Sequence, residues 1–136
     1  MQIKTIIVDD EKNGRENLAG ILKSYCPEVI LTGEADSVEK AIPLIQTENP
    51  DLVFLDIEMP AANGFQLLEE FQDFKFEVIF VTAYDNYAIQ AIRFSAADYI
   101  LKPIHINDLQ KAVDKVSVRI RKKEESQLLK QLYYNL

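Results

Sequence analysis

The sequence predicts an α/β domain with a doubly wound parallel sheet, and three observations carry that prediction. Leu52-Val53-Phe54-Leu55 and Val78-Ile79-Phe80-Val81 are short, wholly apolar runs, the signature of strands buried on both faces. Strand-like runs alternate along the chain with segments of helical periodicity, as in repeated strand-helix-strand units. Polar and acidic residues stand directly after the strand candidates, at the carboxyl ends where open parallel sheets bind ligands.

The elements follow in order. Ile3-Lys4-Thr5-Ile6-Ile7-Val8 is rich in β-formers and runs into Asp9-Asp10-Glu11, which makes a first strand with an acidic end. From Glu11 to Tyr25, Leu18, Ile21, Leu22 and Tyr25 recur at helical spacing until Pro27 stops the pattern. Val29 to Ala35 is the second strand, and Ser37 offers an N-cap to a helix carrying Ala41, Ile42, Leu44 and Ile45. Pro43 lies beyond the first turn of that helix, so a kink or a later start is expected. Asn49-Pro50 ends the segment, and Leu52 to Leu55 supplies the third strand.

After the turn Pro60-Ala61-Ala62-Asn63-Gly64, a short helix places Phe65, Leu68 and Phe71 on one side. Val78 to Val81 forms the fourth strand, ending at Thr82. Asp85 or Asn86 is expected to cap the next helix, with Ala88, Ile89, Ile92 and Phe94 as its inward stripe. Ala97 to Leu101 makes a fifth strand, closed by Lys102-Pro103. A long final helix begins near Asn107, with Leu109, Val113, Val116 and Ile120 inward. Five strands and five helices with right-handed crossovers result. Sequence alone leaves the strand order open, although the flavodoxin-like order 2-1-3-4-5 is the common solution for five strands.

Size and charge bound the function. The 136 residues suit one domain with a single core, and the 48% hydrophobic and 27% charged fractions are ordinary for a soluble protein. A net charge of −7 disfavours nucleic-acid binding by the body of the domain, so any DNA role needs another domain or a partner. No apolar run reaches the ~20 residues of a membrane helix, and the start lacks the apolar region of a signal peptide. A cytoplasmic protein with no membrane contact is the expectation. Cys26, the single cysteine, reads as a packed thiol. His105, the single histidine, stands in a loop before a helix and reads as a structural or surface residue.

In the 2-1-3-4-5 order, Asp9, Asp10, Asp56, Thr82 and Lys102 converge on one crevice. Three adjacent carboxylates raise one another's pKa unless a cation lies between them. Mg²⁺ suits such hard oxygen donors and retains waters of its own. A carboxylate beside Mg²⁺ and a lysine is poised to attack a phosphoryl group and form an acyl phosphate. A single strand-terminal Asp, Thr or Lys is usually a cap or a surface group. The weight lies in their joint occurrence at separate strand ends.

These residues stand in Val8-Asp9-Asp10-Glu11, Leu55-Asp56-Ile57-Glu58-Met59-Pro60, Asn63-Gly64, Val81-Thr82-Ala83 and Leu101-Lys102-Pro103. From about Ile3 to Val118 the chain resembles a response-regulator receiver domain of two-component signalling. The resemblance implies that Asp56 is the phosphoacceptor for a histidine kinase. It implies Asp10 and Asp56 as direct Mg²⁺ ligands, Asp9 acting through water, and the Glu58 backbone carbonyl as a further ligand with its side chain outward. Thr82 and Lys102 would contact the phosphoryl oxygens, Lys102-Pro103 would be cis, and Thr82 and Tyr99 would form the switch. Such a domain promotes its own Mg²⁺-dependent phosphorylation and slow dephosphorylation and is not a turnover enzyme.

Tyr84 to Ile92 together with Tyr99 to Pro103 look most like receivers attached to LytTR-type DNA-binding domains. Residues 1–118 are thus expected to form the receiver, and 119–136 a helical extension or linker toward an output domain that this chain lacks. Leu128, Leu129, Leu132, Tyr133 and Leu136 resume an apolar pattern there. A homodimer through the face of the fourth helix, fifth strand and fifth helix, or through the tail, is a further expectation. Two other classes are weighed. A haloacid-dehalogenase-like phosphohydrolase carries Asp-x-Asp-x-Thr after its first strand, whereas Ile57-Glu58 follow Asp56 on the third. A dinucleotide site needs Gly-x-Gly-x-x-Gly, which is absent. A stand-alone interaction module without DNA output is the remaining alternative.

Overall fold

In the computed structural model, which describes Met1 to Asn135, the elements are β1 (Ile3–Val8), α1 (Lys12–Tyr25), β2 (Val29–Ala35), α2 (Val38–Glu48), β3 (Leu52–Leu55), α3 (Gly64–Glu69), β4 (Glu77–Thr82), α4 (Ala88–Arg93), β5 (Asp98–Leu101) and α5 (Ile106–Tyr134). The strands pair in parallel in the order β2-β1-β3-β4-β5. The flavodoxin-like order expected for the sheet is therefore the one observed.

Strand periodicity divides the core into two layers. Ile6, Val8, Val53, Leu55, Val78 and Phe80 point to one face, under α2, α3 and α4. Ile3, Ile7, Leu52, Phe54, Ile79 and Val81 point to the other, where Leu18 and Leu22 of α1 and Leu109, Ala112, Val113 and Val116 of α5 cover them. Because β3 and β4 serve both layers, every one of their residues is buried. Burying a Phe or Leu of this kind stabilises the fold by about 1.5–3 kcal/mol. Cys26 is buried at the end of α1, and burial, with the charges of Glu28 and Asp114, pushes its thiol up to about 11.

Local chemistry sets most boundaries. Ser37 Oγ accepts the Lys40 N–H at 3.2 Å, and Asn49 ends α2 in the left-handed region with φ 48°. Asn63 and Gln66 form a reciprocal capping box on α3. The later start anticipated from Pro43 does not occur, since α2 begins at Val38. Pro43 and Glu39 both face solvent, so water can reach the Glu39 carbonyl that Pro43 leaves without a donor.

The fourth helix corrects two expectations. Neither Asp85 nor Asn86 caps α4; Tyr87 occupies the N-cap and makes no capping bond through its side chain. Ile89 and Ile92 are 73% and 74% exposed; Phe94 does face inward as expected, and Tyr87 and Ala91 join it there. Aromatic packing explains the choice, because Phe65 meets Tyr87 at 6.0 Å and Phe94 at 5.4 Å between ring centroids. Tyr87 and Phe94 flank the six residues of α4 as its caps, and their larger aromatic surface takes the core in place of the isoleucines.

The final helix starts at Ile106 with exposed His105 at its N-cap, and it continues without a break to Tyr134. From Arg121 onward its described residues are exposed, including Leu128, Leu129, Leu132 and Tyr133; Leu136 lies outside the described residues. Among the described residues no helix is long and apolar enough to cross a membrane.

Candidate functional site

Ladder hydrogen bonds that run one residue past the strands bring the polar residues together. The Asp9 N–H donates to the Ala35 carbonyl at 3.1 Å, the Asp56 N–H to Val8 at 2.9 Å, and the Lys102 N–H to Thr82 at 2.8 Å. Each residue is thereby anchored to a neighbouring strand end, and all of them face the crevice where β1 has β2 on one side and β3 on the other.

Carboxylate oxygens of Asp9, Asp10 and Asp56 lie within 4.8 Å of one another. Lys102 Nζ donates to Asp9 Oδ2 at 2.8 Å and to Asp56 Oδ2 at 3.0 Å. Asp56 Oδ1 accepts the Ile57 N–H at 2.7 Å, and Asp9 Oδ1 accepts the Glu11 N–H at 2.9 Å. Asp9 and Asp56 are buried, and Asp10 is half-buried. Burial raises the Asp56 carboxyl above its ordinary value; the hydrogen bond and charge of Lys102 oppose the rise, and the Asp9 charge adds to it. Burial pulls Lys102 down, but its bonds to Asp9 and Asp56 outweigh that and leave it above its ordinary value.

This donor set fits Mg²⁺. All three side chains offer hard carboxylate oxygens, their charges are only partly balanced by one ammonium, and the pocket mouth is open at Asp10. Glu58 points its side chain outward, where Oε1 accepts a 2.7 Å hydrogen bond from the Tyr87 hydroxyl. Gly64 is needed at its place. A Cβ there would stand 2.5 Å from the Asp56 carbonyl oxygen, and the Gly64 N–H donates to Ile57 at 2.9 Å, closing the loop that carries Asp56 to Glu58.

Thr82 is fully buried at the end of β4, with Oγ1 accepting the Tyr84 N–H at 3.4 Å. Tyr99 packs on Phe80 with a centroid distance of 6.3 Å, and its hydroxyl donates to the Tyr84 carbonyl. The Lys102-Pro103 peptide is cis. Every site residue singled out from the sequence therefore lies at this end of the sheet or on the loops beside it. Sequence reasoning missed the contact between Glu58 and Tyr87 and the role of Arg15, whose Nη1 donates to the Asp9 carbonyl at 2.8 Å. No local motif signals either pair, since the partners meet only after folding.

A doubly wound sheet with three carboxylates and a lysine at its switch point defines a class of phosphoryl-accepting signalling domains. Residues 5–114 match the response regulator receiver domain, and the chain belongs to that family. It is 40% identical over 114 residues to the sensory transduction protein LytT of Enterococcus faecalis, covering 82% of this chain and 47% of that protein. The chain spans about half the length of the curated relatives it matches. Among solved structures it is similar to the REC domain of AraT, a response regulator from Geobacillus stearothermophilus, with a TM-score of 0.80 and 29% identity, covering 91% of this chain and 99% of that one. It is also similar to the response regulator TrrA of Thermotoga maritima in complex with Mg²⁺-BeF, with a TM-score of 0.73 and 31% identity, covering 85% and 99% of the two chains.

Proposed function

We propose that this domain is a phosphorylation-dependent switch in which Asp56 accepts a phosphoryl group from the phosphohistidine of a histidine kinase. The observation that carries the reading is the contact of one ammonium, Lys102, with both Asp9 and Asp56 beside the half-buried Asp10. An Asp56 carboxylate oxygen forms the new P–O bond, the P–N bond of the donor breaks, and the imidazole leaves with a proton. Asp10, Asp56 and the Glu58 carbonyl would hold Mg²⁺ directly, with Asp9 acting through water. When bound, the ion neutralises charge on the carboxylates and on the phosphoryl oxygens. Lys102 and the Thr82 hydroxyl orient those oxygens. The domain serves a single transfer and slow hydrolysis, not turnover of a free substrate.

Thr82 and Tyr99 form the switch in this reading. A Thr82 hydroxyl drawn to the phosphoryl group changes the space beside Tyr99, whose hydroxyl is held on the loop before α4. The affected surface is α4, β5 and α5, where Ile89, Ile92 and Leu101 are exposed and available to a second copy. Residues 1–118 form the receiver and 119–136 the start of a connection to an output domain outside this chain. The similarity to LytT proteins about twice as long supports a LytTR-type DNA-binding output and a cytoplasmic transcription regulator. Action by protein contact alone, without DNA output, is the second reading.

Intact mass after treatment with a small phosphodonor and Mg²⁺ tests the site. One added phosphoryl group is expected on the parent chain and none on Asp56→Asn; a gain that survives this substitution overturns the assignment. Multiple turnover of a generic phosphatase substrate would instead make the protein a phosphohydrolase.

A further inference from the structure

Arg15, in the first turn of α1, reaches back over the end of β1. Its Nη1 donates to the Asp9 main-chain carbonyl at 2.8 Å, its Nε lies 3.8 Å from Glu34 Oε1 at the end of β2, and its side chain is 19% exposed. Asp9 is fixed at every other polar atom as well, by Ala35 through its N–H, by Glu11 at Oδ1 and by Lys102 at Oδ2. Asp10 is held differently. Its carboxylate belongs to the acidic cluster, yet it accepts no hydrogen bond among the described residues. The direction of the Asp10 side chain therefore depends on the plane of the Asp9–Asp10 peptide, and Arg15 holds the carbonyl end of that plane.

We propose that Arg15 is a positioning residue for cation binding: by holding the Asp9 carbonyl it aims the Asp10 carboxylate into the pocket without touching metal or phosphoryl group. This rests on the reading of the pocket as a Mg²⁺ site. Two effects of losing the guanidinium have opposite signs. Removing a positive charge beside an acidic cluster favours a cation, so a purely Coulombic role predicts tighter Mg²⁺ binding. Losing an orienting contact predicts weaker binding, by about 10–100-fold for groups that support metal ligands. The Glu34 carboxylate, 3.8 Å from Arg15 Nε, already offsets much of the guanidinium charge seen from the pocket, so orientation dominates and affinity falls.

Calorimetric titration of Mg²⁺ alone into the full chain tests this, with no phosphodonor present. Arg15→Met keeps the aliphatic stem and is expected to bind about tenfold more weakly than the parent. Arg15→Lys, which restores a charged donor, is expected to recover most of that loss. Circular dichroism establishes that each titrated variant is folded, and Asp10→Asn serves as the reference. Unchanged or tighter binding by Arg15→Met, or Arg15→Lys no better than Arg15→Met, overturns the positioning role while loss of binding in Asp10→Asn leaves the metal site standing. Parental binding by Asp10→Asn would overturn the metal site itself.

Discussion

At the scale of single residues, the acidic pocket trades stability for reactivity. Asp56 is buried beside Asp9 and Asp10, and its carboxyl is raised chiefly by burial. Neutralising it removes repulsion while the Asp9 contact with Lys102 remains. Asp56→Asn is therefore expected to raise the Mg²⁺-free melting temperature by a few degrees, on the order of 1 kcal/mol, in a thermal melt without divalent ions. Cys26 supplies a pH dependence far from the pocket. Its thiol is raised to about 11 in the fold, so the unfolded chain ionises first as pH rises from its ordinary 9.0. The neutral thiol's contribution is whole below 9.0 and is lost toward 11. Urea midpoints across that range should fall more steeply for the parent than for Cys26→Ala. The residue types of the pocket were legible in the sequence because each stands directly after a strand. The hold of Arg15 on Asp9 was not, because it joins a side chain to a backbone atom across a turn.

At the scale of elements, α3 and α4 show where pattern succeeds and where it misleads. Pro60 to Gly64 signals a turn; the capping box of Asn63 with Gln66 and the close approach of Gly64 to Asp56 give that turn its physical cause. Gly64→Ala puts a methyl group 2.5 Å from a backbone oxygen, which the loop can relieve only by moving Asp56. A loss of about 1–3 kcal/mol in urea unfolding is expected, with slower labelling by a phosphodonor. In α4, helical spacing pointed to Ile89 and Ile92, yet Phe65 draws Tyr87 and Phe94 inward. A six-residue helix is too short for periodicity to choose between two apolar sides. Substituting Ile89 and Ile92 by Ser should change stability by no more than about 0.5 kcal/mol each, whereas Phe65→Ala should cost about 3–5 kcal/mol. If the exposed isoleucines pair two copies, sedimentation of the phosphorylated double variant should show monomers where the parent associates.

At the scale of the whole molecule, strand order was the part of the fold the sequence left open, since period and composition identify strands but not their neighbours. Pairing in the order β2-β1-β3-β4-β5 resolved it, and in that order Asp9, Asp56 and Lys102 meet. The long α5 adds a mechanical property. The root of its outer part is braced: Arg119 reaches the buried carboxylate of Glu77 at 2.9 Å and the Ser95 carbonyl at 2.8 Å, at the far end of α4, and one turn on Lys123 reaches the same carboxylate. Residues 124–134 continue roughly 16 Å beyond Lys123 as one helix, at about 1.5 Å per residue. A tilt of about 5° at that brace would sweep the tip by roughly 1.4 Å, given a helical rise of this length. A rearrangement too small to repack the sheet would thus be magnified with distance, as a short crank drives a stiff lever.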